Sequence, residues 1–180
     1  MNSAEKKKVE KLAVAHGLTD FKWMDPRTVV LGQWVRMKCH YGCGGFGKRK
    51  SCPPYVPSVE DCRKFFGEYK AGLFFHFAVK FKDPEKRHPW SKEVNQRMLD
   101  LERKVFLAGY QKAFVFPQAP CRLCKTCTGT PECRQPLLSR PTLEGFGVDV
   151  YSTARMLGYP IQVVKDYQDE MNRYGLLLVE

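Results

Sequence analysis

Four cysteines fall within the thirteen residues of CRLCKTCTGTPEC, residues 121–133, and no other segment restricts the fold as strongly. Cys121, Cys124 and Cys127 follow the spacing C-x2-C-x2-C, and a stretch with Gly and Pro leads to Cys133. Such a stretch is not a regular helix or strand. Gaps of two residues let a backbone wrap around a metal centre that takes several thiolates, as in bacterial ferredoxins. We therefore expect a loop built around a [4Fe-4S] cluster.

The spacing departs from the ferredoxin pattern in two ways. Five residues, not three, precede the fourth cysteine, and proline stands at Pro136 instead of directly after Cys133. Four cysteines this close can also form a tetrahedral zinc site, although zinc sites favour two well-separated C-x2-C pairs. The pattern favours iron-sulfur, with zinc and unligated or redox-active thiols as the alternatives.

A second group of cysteines, Cys39, Cys43 and Cys52, lies in the Gly- and Pro-rich segment CHYGCGGFGKRKSCPPYVP, residues 39–57. Three thiolates leave one iron of a cubane cluster without a protein thiolate, and such an open iron can bind a substrate or small ligand. Because Cys52 precedes Pro53, it can instead complete the 121/124/127 site, as in two-cluster ferredoxins, leaving Cys133 with Cys39 and Cys43. The sequence thus predicts one or two clusters and leaves the grouping open.

The eighth cysteine, Cys62, belongs to a different pattern. Val59, Cys62, Phe66 and Tyr69 recur at steps of three, four and three, which is typical of the buried face of a helix. We expect Cys62 in the core.

Hydrophobic periodicity predicts a mixed sheet with flanking helices, of class α/β or α+β, and metal-binding loops at its margin. The expected helices are 3–16, 58–69, 91–108 and 149–158, and the expected strands are a hairpin of TVVLG and WVRMKC ending at Cys39, then 71–81, 112–116, IQVV (161–164) and YGLLLVE (174–180).

Length and composition predict a single globular domain over residues 1–180, with cluster loops at 39–57 and 118–140, because 43% hydrophobic residues suffice for one core. No stretch is long and apolar enough for a membrane span, and the start of the chain lacks the apolar core of a signal peptide. We expect a cytoplasmic protein, in which eight cysteines act as ligands or redox centres rather than as disulfides.

The chain is strongly basic, with a formal net charge of +11, and such a charge can attract an anionic partner. Cations surround both cysteine groups: Arg36, Lys38, Lys48, Arg49 and Lys50 near the first, and Arg122, Lys125, Arg134 and Arg140 near the second. They can simply offset cluster charge, or they can attract an acidic redox partner protein or a small anionic substrate. We do not expect a nucleic-acid partner, since no recognised binding motif accompanies the charge.

Other catalytic motifs are weak. GCGGFGK lacks the spacing and setting of a phosphate-binding loop. Glu144 and Asp149 can be acid or base groups, but Glu144 equally suits the first turn of a short helix.

Several separated motifs occur together in this chain: KCHYGCGGFGKRKSCPPYVPS, LERKVFLAGYQKAFVF, PCRLCKTC followed by CRQP, RPTLEGFGVDVYSTA and YGLLLVE. In this combination the chain resembles, over residues 30 to 180, a family of cysteine-rich proteins described as predicted metal-binding, a domain of unknown function found largely in anaerobic bacteria and archaea. The resemblance implies metal binding by Cys39, Cys43, Cys52, Cys121, Cys124, Cys127 and Cys133. It implies no particular reaction.

Two functions of different classes remain, together with a zinc-stabilised binding protein. One is an electron-transfer module that relays electrons between a donor and an enzyme. The other is an enzyme that binds its substrate at the open iron of the three-cysteine cluster. The sequence leaves open whether the protein is an enzyme, but the large aromatic-rich core favours a pocket or docking function over simple relay.

Overall fold

The computed structural model describes residues 1–128, 132–166 and 168–180. Within these ranges, five α-helices flank a four-stranded sheet. The helices are α1 (Ser3–Ala15), α2 (Gln33–Gly42), α3 (Val59–Gly67), α4 (Arg87–Leu107) and α5 (Val150–Met156), and the strands are β1 (Phe21–Met24), β2 (Gly72–Val79), β3 (Phe114–Phe116) and β4 (Met171–Leu178).

The sheet has the order β1-β2-β4-β3, and its three pairings are antiparallel. Strands β2 and β4 pair along their whole length, from Gly72 opposite Leu178 to Val79 opposite Met171. The fold is therefore α+β, the second of the two predicted classes, with an antiparallel rather than a mixed sheet.

Alternation along the strands divides the core into two layers. On one face Phe74 and Leu176 pack with α3, α5 and the 3-10 helix Glu144–Phe146. On the other face Phe75 and Leu177 pack with α1 and α4. Both faces of the sheet are thus covered by helices.

The sheet and α4 approach each other most closely at Gly175. A Cβ placed there would lie 2.4 Å from Met98 Cε and 2.9 Å from the Phe116 carbonyl oxygen. Only a residue without a side chain fits between α4 and β3 at this point.

The helices predicted at 3–16 and 58–69 are present as α1 and α3, and α3 ends two residues earlier than predicted. Asn2 caps α1 in a capping box with Glu5, and Gly17 follows its last turn with a φ of 68°. Ser58 caps α3, whose buried face carries Cys62 and Phe66.

Helix α4 begins at Arg87, four residues before the predicted start at Ser91. Pro89 lies in its first turn, where a residue without an N–H is tolerated because that group has no partner within the helix.

The predicted hairpin ending at Cys39 is wrong. Thr28 ends a 3-10 helix, Leu31 forms a single bridge to Val148, and WVRMKC lies in helix α2. The exposure of the side chains is that of a helix. Val35 is buried and Cys39, four residues later, is half-buried, whereas Met37 between them is exposed. A strand would have placed all three side chains on one face.

The predicted strand IQVV is also wrong, since residues 161–164 have no strand partner. An apolar run becomes a strand only where a sheet edge is available to pair with it. Conversely, β1 was not predicted, because four residues give too short a pattern. The strands predicted at 71–81, 112–116 and 174–180 correspond to β2, β3 and β4, and the helix predicted at 149–158 corresponds to α5.

Candidate metal centre

The first cysteine segment starts on a helix and continues as a loop. Cys39 lies in the last turn of α2, and Cys43 is the residue that ends this helix. The loop then folds back on itself, with the Gly47 amide donating to the Pro53 carbonyl at 3.0 Å and the Cys52 amide donating to the Arg49 carbonyl at 3.1 Å. These turns return Cys52 towards the end of α2.

The thiols of this segment lie near one another. The Gly45 amide donates to Cys43 Sγ at 3.4 Å, a contact that suits a thiolate. Burial raises the pKa of the Cys39 thiol, and nearby Cys43 adds to this shift. Burial also raises the pKa of Cys52, an effect that the Arg49 guanidinium opposes.

The second cysteine segment is held to α4 near both of its ends. Near its start, Asn95 Nδ2 donates to the Ala119 carbonyl at 2.8 Å, and Gln118 Nε2 donates to the Ser91 carbonyl at 3.3 Å. At its far end, Arg140 Nε donates to Glu102 Oε1 at 2.8 Å. The scaffold therefore fixes both ends of the segment independently of its cysteines.

Between these ends, Cys121, Cys124 and Cys133 are half-buried and Cys127 is exposed. Thr128 Oγ1 donates to the Glu132 carbonyl at 2.8 Å, next to Cys133. The middle of this predicted turn, residues 129–131, lies outside the described residues.

An arginine joins the two segments. Arg49 Nε donates to the Cys121 carbonyl at 3.2 Å, and the same side chain acts on the Cys52 thiol. Burial lowers the pKa of Arg122, and the neighbouring Arg49 and Arg87 lower it further. Two cysteine loops and a cluster of cations thus meet at one margin of the molecule.

Among the described residues, no three Cys, His, Asp or Glu side chains converge closely enough to hold a metal ion. The seven cysteines proposed as ligands are placed in two adjoining loops, and their role as ligands stays a prediction. The donor chemistry fits a cysteine-held metal, because the sulfurs are accompanied by an amide donor and by guanidinium groups.

Cys62 lies where the helical pattern predicted it. Its side chain is completely buried, and its Sγ donates to the Pro57 carbonyl at 3.7 Å. Arg36 Nη2 approaches this sulfur at 4.0 Å and also donates to the Pro57 carbonyl. Cys62 is a core residue, and Arg36 is tied to the start of α3 by the same contacts.

A cleft of about 1040 Å³ opens beside the first cysteine segment, and Cys39 and Cys43 form part of its wall. Five cations also line it, namely Lys38, Arg87, Arg155, Lys165 and Arg173. Three carboxylates, Glu144, Asp149 and Asp166, line it as well. The cleft therefore carries an excess of positive charge next to two candidate ligands.

Two of these carboxylates, Asp149 and Glu144, are the candidate acid or base groups of the sequence. Asp149 caps α5, accepting from the Ser152 amide at 3.1 Å and from Ser152 Oγ at 2.6 Å. Glu144 is exposed and begins the 3-10 helix Glu144–Phe146, in agreement with the expectation of a short helix.

Sequence analysis did not identify Arg87, Gln118 and Arg173 as residues of a site. They come from α4, the segment after β3, and β4, which are far apart in the sequence. Burial lowers the pKa of Arg173, and the Glu144 carboxylate opposes this effect. Arg173 is half-buried, and the sequence gives no signal that it lines a cleft.

Within the described part of the chain, no helix has the length and hydrophobicity needed to cross a bilayer. The fold and the two loops define a cysteine-rich α+β protein with thiols suited to metal ligation. The chain belongs to the family named "Predicted metal-binding protein (DUF2284)", whose sequence profile matches residues 22–179. This confirms the resemblance drawn from the motifs. No curated protein and no solved structure was found to match.

Proposed function

We propose that the protein holds one or two [4Fe-4S] clusters on its two cysteine loops and is a redox enzyme. Cys39, Cys43 and Cys52 would hold the cluster that faces the cleft, and Cys121, Cys124, Cys127 and Cys133 would hold the other. The substrate is a small anion that binds in the cleft, and an acidic redox protein supplies electrons at the basic surface.

One observation carries this proposal: two candidate ligands and five cations line the same cleft. A cluster with three cysteine ligands supplies an iron that can act as a Lewis acid, and a second cluster supplies electrons. The protein side chains bind and orient the anion, since Arg87 and Arg173 present guanidinium groups suited to carboxylate or phosphate oxygens.

The cleft favours this function over electron relay alone. A relay protein needs a cluster near its surface and a docking face, but it does not need a cleft of about 1040 Å³. Small-molecule sites commonly occupy clefts of roughly 300–1,000 Å³. A zinc-stabilised binding protein would also use the cleft, so metal analysis must separate these two functions.

The first experiment identifies the metal. Protein purified without oxygen is expected to be brown and to contain iron and acid-labile sulfide in nearly equal amounts. Colourless protein with stoichiometric zinc would overturn the iron-sulfur proposal.

The second experiment tests the open iron. Added hydrosulfide or a small anionic thiol is expected to change the electron paramagnetic resonance spectrum of one reduced cluster and to leave the other unchanged. The response should weaken in Arg173→Met and persist in Arg63→Met, because Arg63 is an exposed residue that pairs with Glu60 on α3. If neither cluster responds, electron relay becomes the better assignment.

A further inference from the structure

A hydrogen-bonded chain of side chains runs across the sheet into the wall of the cleft. His76, at the centre of β2, is buried, with 8% of its surface exposed. Its Nδ1 lies 2.7 Å from Asp20 Oδ2, and its Nε2 lies 2.6 Å from Asn172 Oδ1. Asn172 stands near the start of β4 and lines the cleft.

The ring of His76 is fixed on all sides. It stacks on Tyr174, with centroids 5.2 Å apart, and packs against Tyr159 at 5.0 Å. Tyr159 donates its hydroxyl to Asp20 Oδ1 at 3.0 Å, so both carboxylate oxygens of Asp20 are in use. Burial raises the pKa of Tyr159, with the Asp20 carboxylate adding to the shift, so this hydroxyl keeps its proton.

Both ring nitrogens of His76 face acceptors. A carboxylate oxygen only accepts, so Nδ1 donates to Asp20. An amide oxygen also only accepts, so Nε2 donates to Asn172. In this arrangement both ring nitrogens donate, Nδ1 to Asp20 and Nε2 to Asn172. The other titratable side chains around it are Tyr159 and Tyr174, with Lys22 lying over the outer face of Tyr159 at 4.3 Å.

This arrangement determines which end of the Asn172 amide is available to a ligand. Because Oδ1 is held by His76, the two hydrogens on Nδ2 point away from the ring. Among the described residues, no atom accepts a hydrogen bond from Asn172 Nδ2. A neutral His76 would instead accept from Nδ2, and the amide would have to turn and present its oxygen.

We propose that Asn172 is a ligand-binding residue of the cleft that donates to an oxyanion, and that Asp20 and His76 are the positioning residues that hold it in the donating orientation. The proposal rests on the proposed function in one respect, namely that the cleft takes an anionic substrate. The new element is the chemical class of this anion, which is an oxyanion such as a carboxylate or a phosphate. The amide supplies directed hydrogen bonds, whereas Arg87 and Arg173 supply charge.

The test compares the anion affinity of variants for which simple electrostatics and the proposed positioning role predict different changes. Inorganic phosphate and acetate are titrated separately by calorimetry into full-length protein. Asp20→Asn and Glu144→Gln each remove one negative charge, so electrostatics alone predicts tighter anion binding in both. The positioning role predicts weaker binding in Asp20→Asn, by about tenfold for a lost directed hydrogen bond, and tighter binding only in Glu144→Gln.

Asn172→Asp, which replaces the donating group by a carboxylate, is expected to weaken binding at least as much. Whichever anion binds, acetate or phosphate, identifies the class of the ligand as a carboxylate or a phosphate. The proposal is overturned if wild-type protein binds neither anion, if Asn172→Asp binds normally, or if Asp20→Asn follows Glu144→Gln.

A second measurement does not depend on variants that fold. Nitrogen NMR of wild-type protein should show a hydrogen-bonded N–H at each of the two ring nitrogens of His76, and an N–H at only one of them would overturn the orientation argument. Failure here is distinguishable from failure of the proposed function. If the protein contains zinc but binds the anion through Asn172, the iron-sulfur proposal is wrong and the anion-binding role of Asn172 is retained.

Discussion

At the scale of single residues, Glu102 on α4 has the most consequential contacts outside the cysteine loops. The residue is buried, with 7% exposed. Its Oε1 accepts from the Val115 amide of β3 at 3.0 Å and from Arg140 Nε at 2.8 Å. One carboxylate oxygen therefore connects a helix, a strand and the far end of the second cysteine segment.

Replacing the Glu102 carboxylate should lower the free energy of unfolding. Glu102→Gln keeps the shape and one acceptor but leaves Arg140 without its counter-charge, and we expect a loss of about 1–3 kcal/mol in the free energy of unfolding. Urea denaturation measures it. The control is Glu60→Gln, whose partner Arg63 lies 3.7 Å away on the surface of α3. That variant should change stability by less than about 1 kcal/mol, and equal effects in the two variants would contradict the role given to Glu102.

Cys62 provides the second residue-scale prediction. Because its thiol is completely buried in the core, Cys62→Ala removes one sulfur atom and should lower stability by about 1 kcal/mol while metal content stays unchanged. Cys124→Ala should instead lose metal. Metal analysis together with denaturation checks both outcomes, and equal metal loss would show that Cys62 is a ligand.

At the scale of elements, the contact between α4 and the sheet restricts position 175. In Gly175→Ala the methyl group meets Met98, which can move, and the backbone oxygen of Phe116, which can move only with β3. We expect a destabilisation of about 1–3 kcal/mol. Gly67→Ala is the matched control, since a Cβ there has no neighbour within 4 Å. It should be neutral or stabilising by up to about 1 kcal/mol, and a similar loss in both variants would refute the packing argument.

The elements also show how far the sequence could predict this protein. Helices with a strong cap or a long apolar face, such as α1 and α3, could be predicted, and so could the aromatic strand β2. Helix α2 could not be predicted, because Val35 is its one buried residue and a single buried position gives no helical periodicity.

The candidate site divides in the same way. The cysteines could be proposed as candidate ligands from their spacing alone, because ligands of one centre are often close in sequence. The cleft could not be predicted, because Arg87 on α4 is far in the sequence from Asn172 and Arg173 on β4, and no motif marks any of them. His76 reads as one more residue of an apolar strand, and only its partners Asp20 and Asn172 distinguish it.

At the scale of the whole molecule, the two core layers do not depend on the cysteine loops. Among the described residues, the packed side chains of both layers come mainly from the helices and the sheet. Removal of metal by a chelator should therefore leave the far-ultraviolet circular dichroism nearly unchanged, with a cooperative thermal transition at a lower temperature. A chain that unfolds on chelation, as zinc fingers do, would show that metal and fold are inseparable here.

The anchoring of the second cysteine segment on α4 has a consequence for the order of assembly. In a free chain, bringing together points roughly 20 residues apart costs about 2–3 kcal/mol of loop-closure entropy. Here that closure is completed when Asn95 engages Ala119 and Glu102 engages Arg140. If these cysteines hold the metal as proposed, the first thiolate that binds it would find the other thiolates at a local concentration in the millimolar range, set by the loop and not by the solution. We therefore predict that metal insertion is a late step that follows folding.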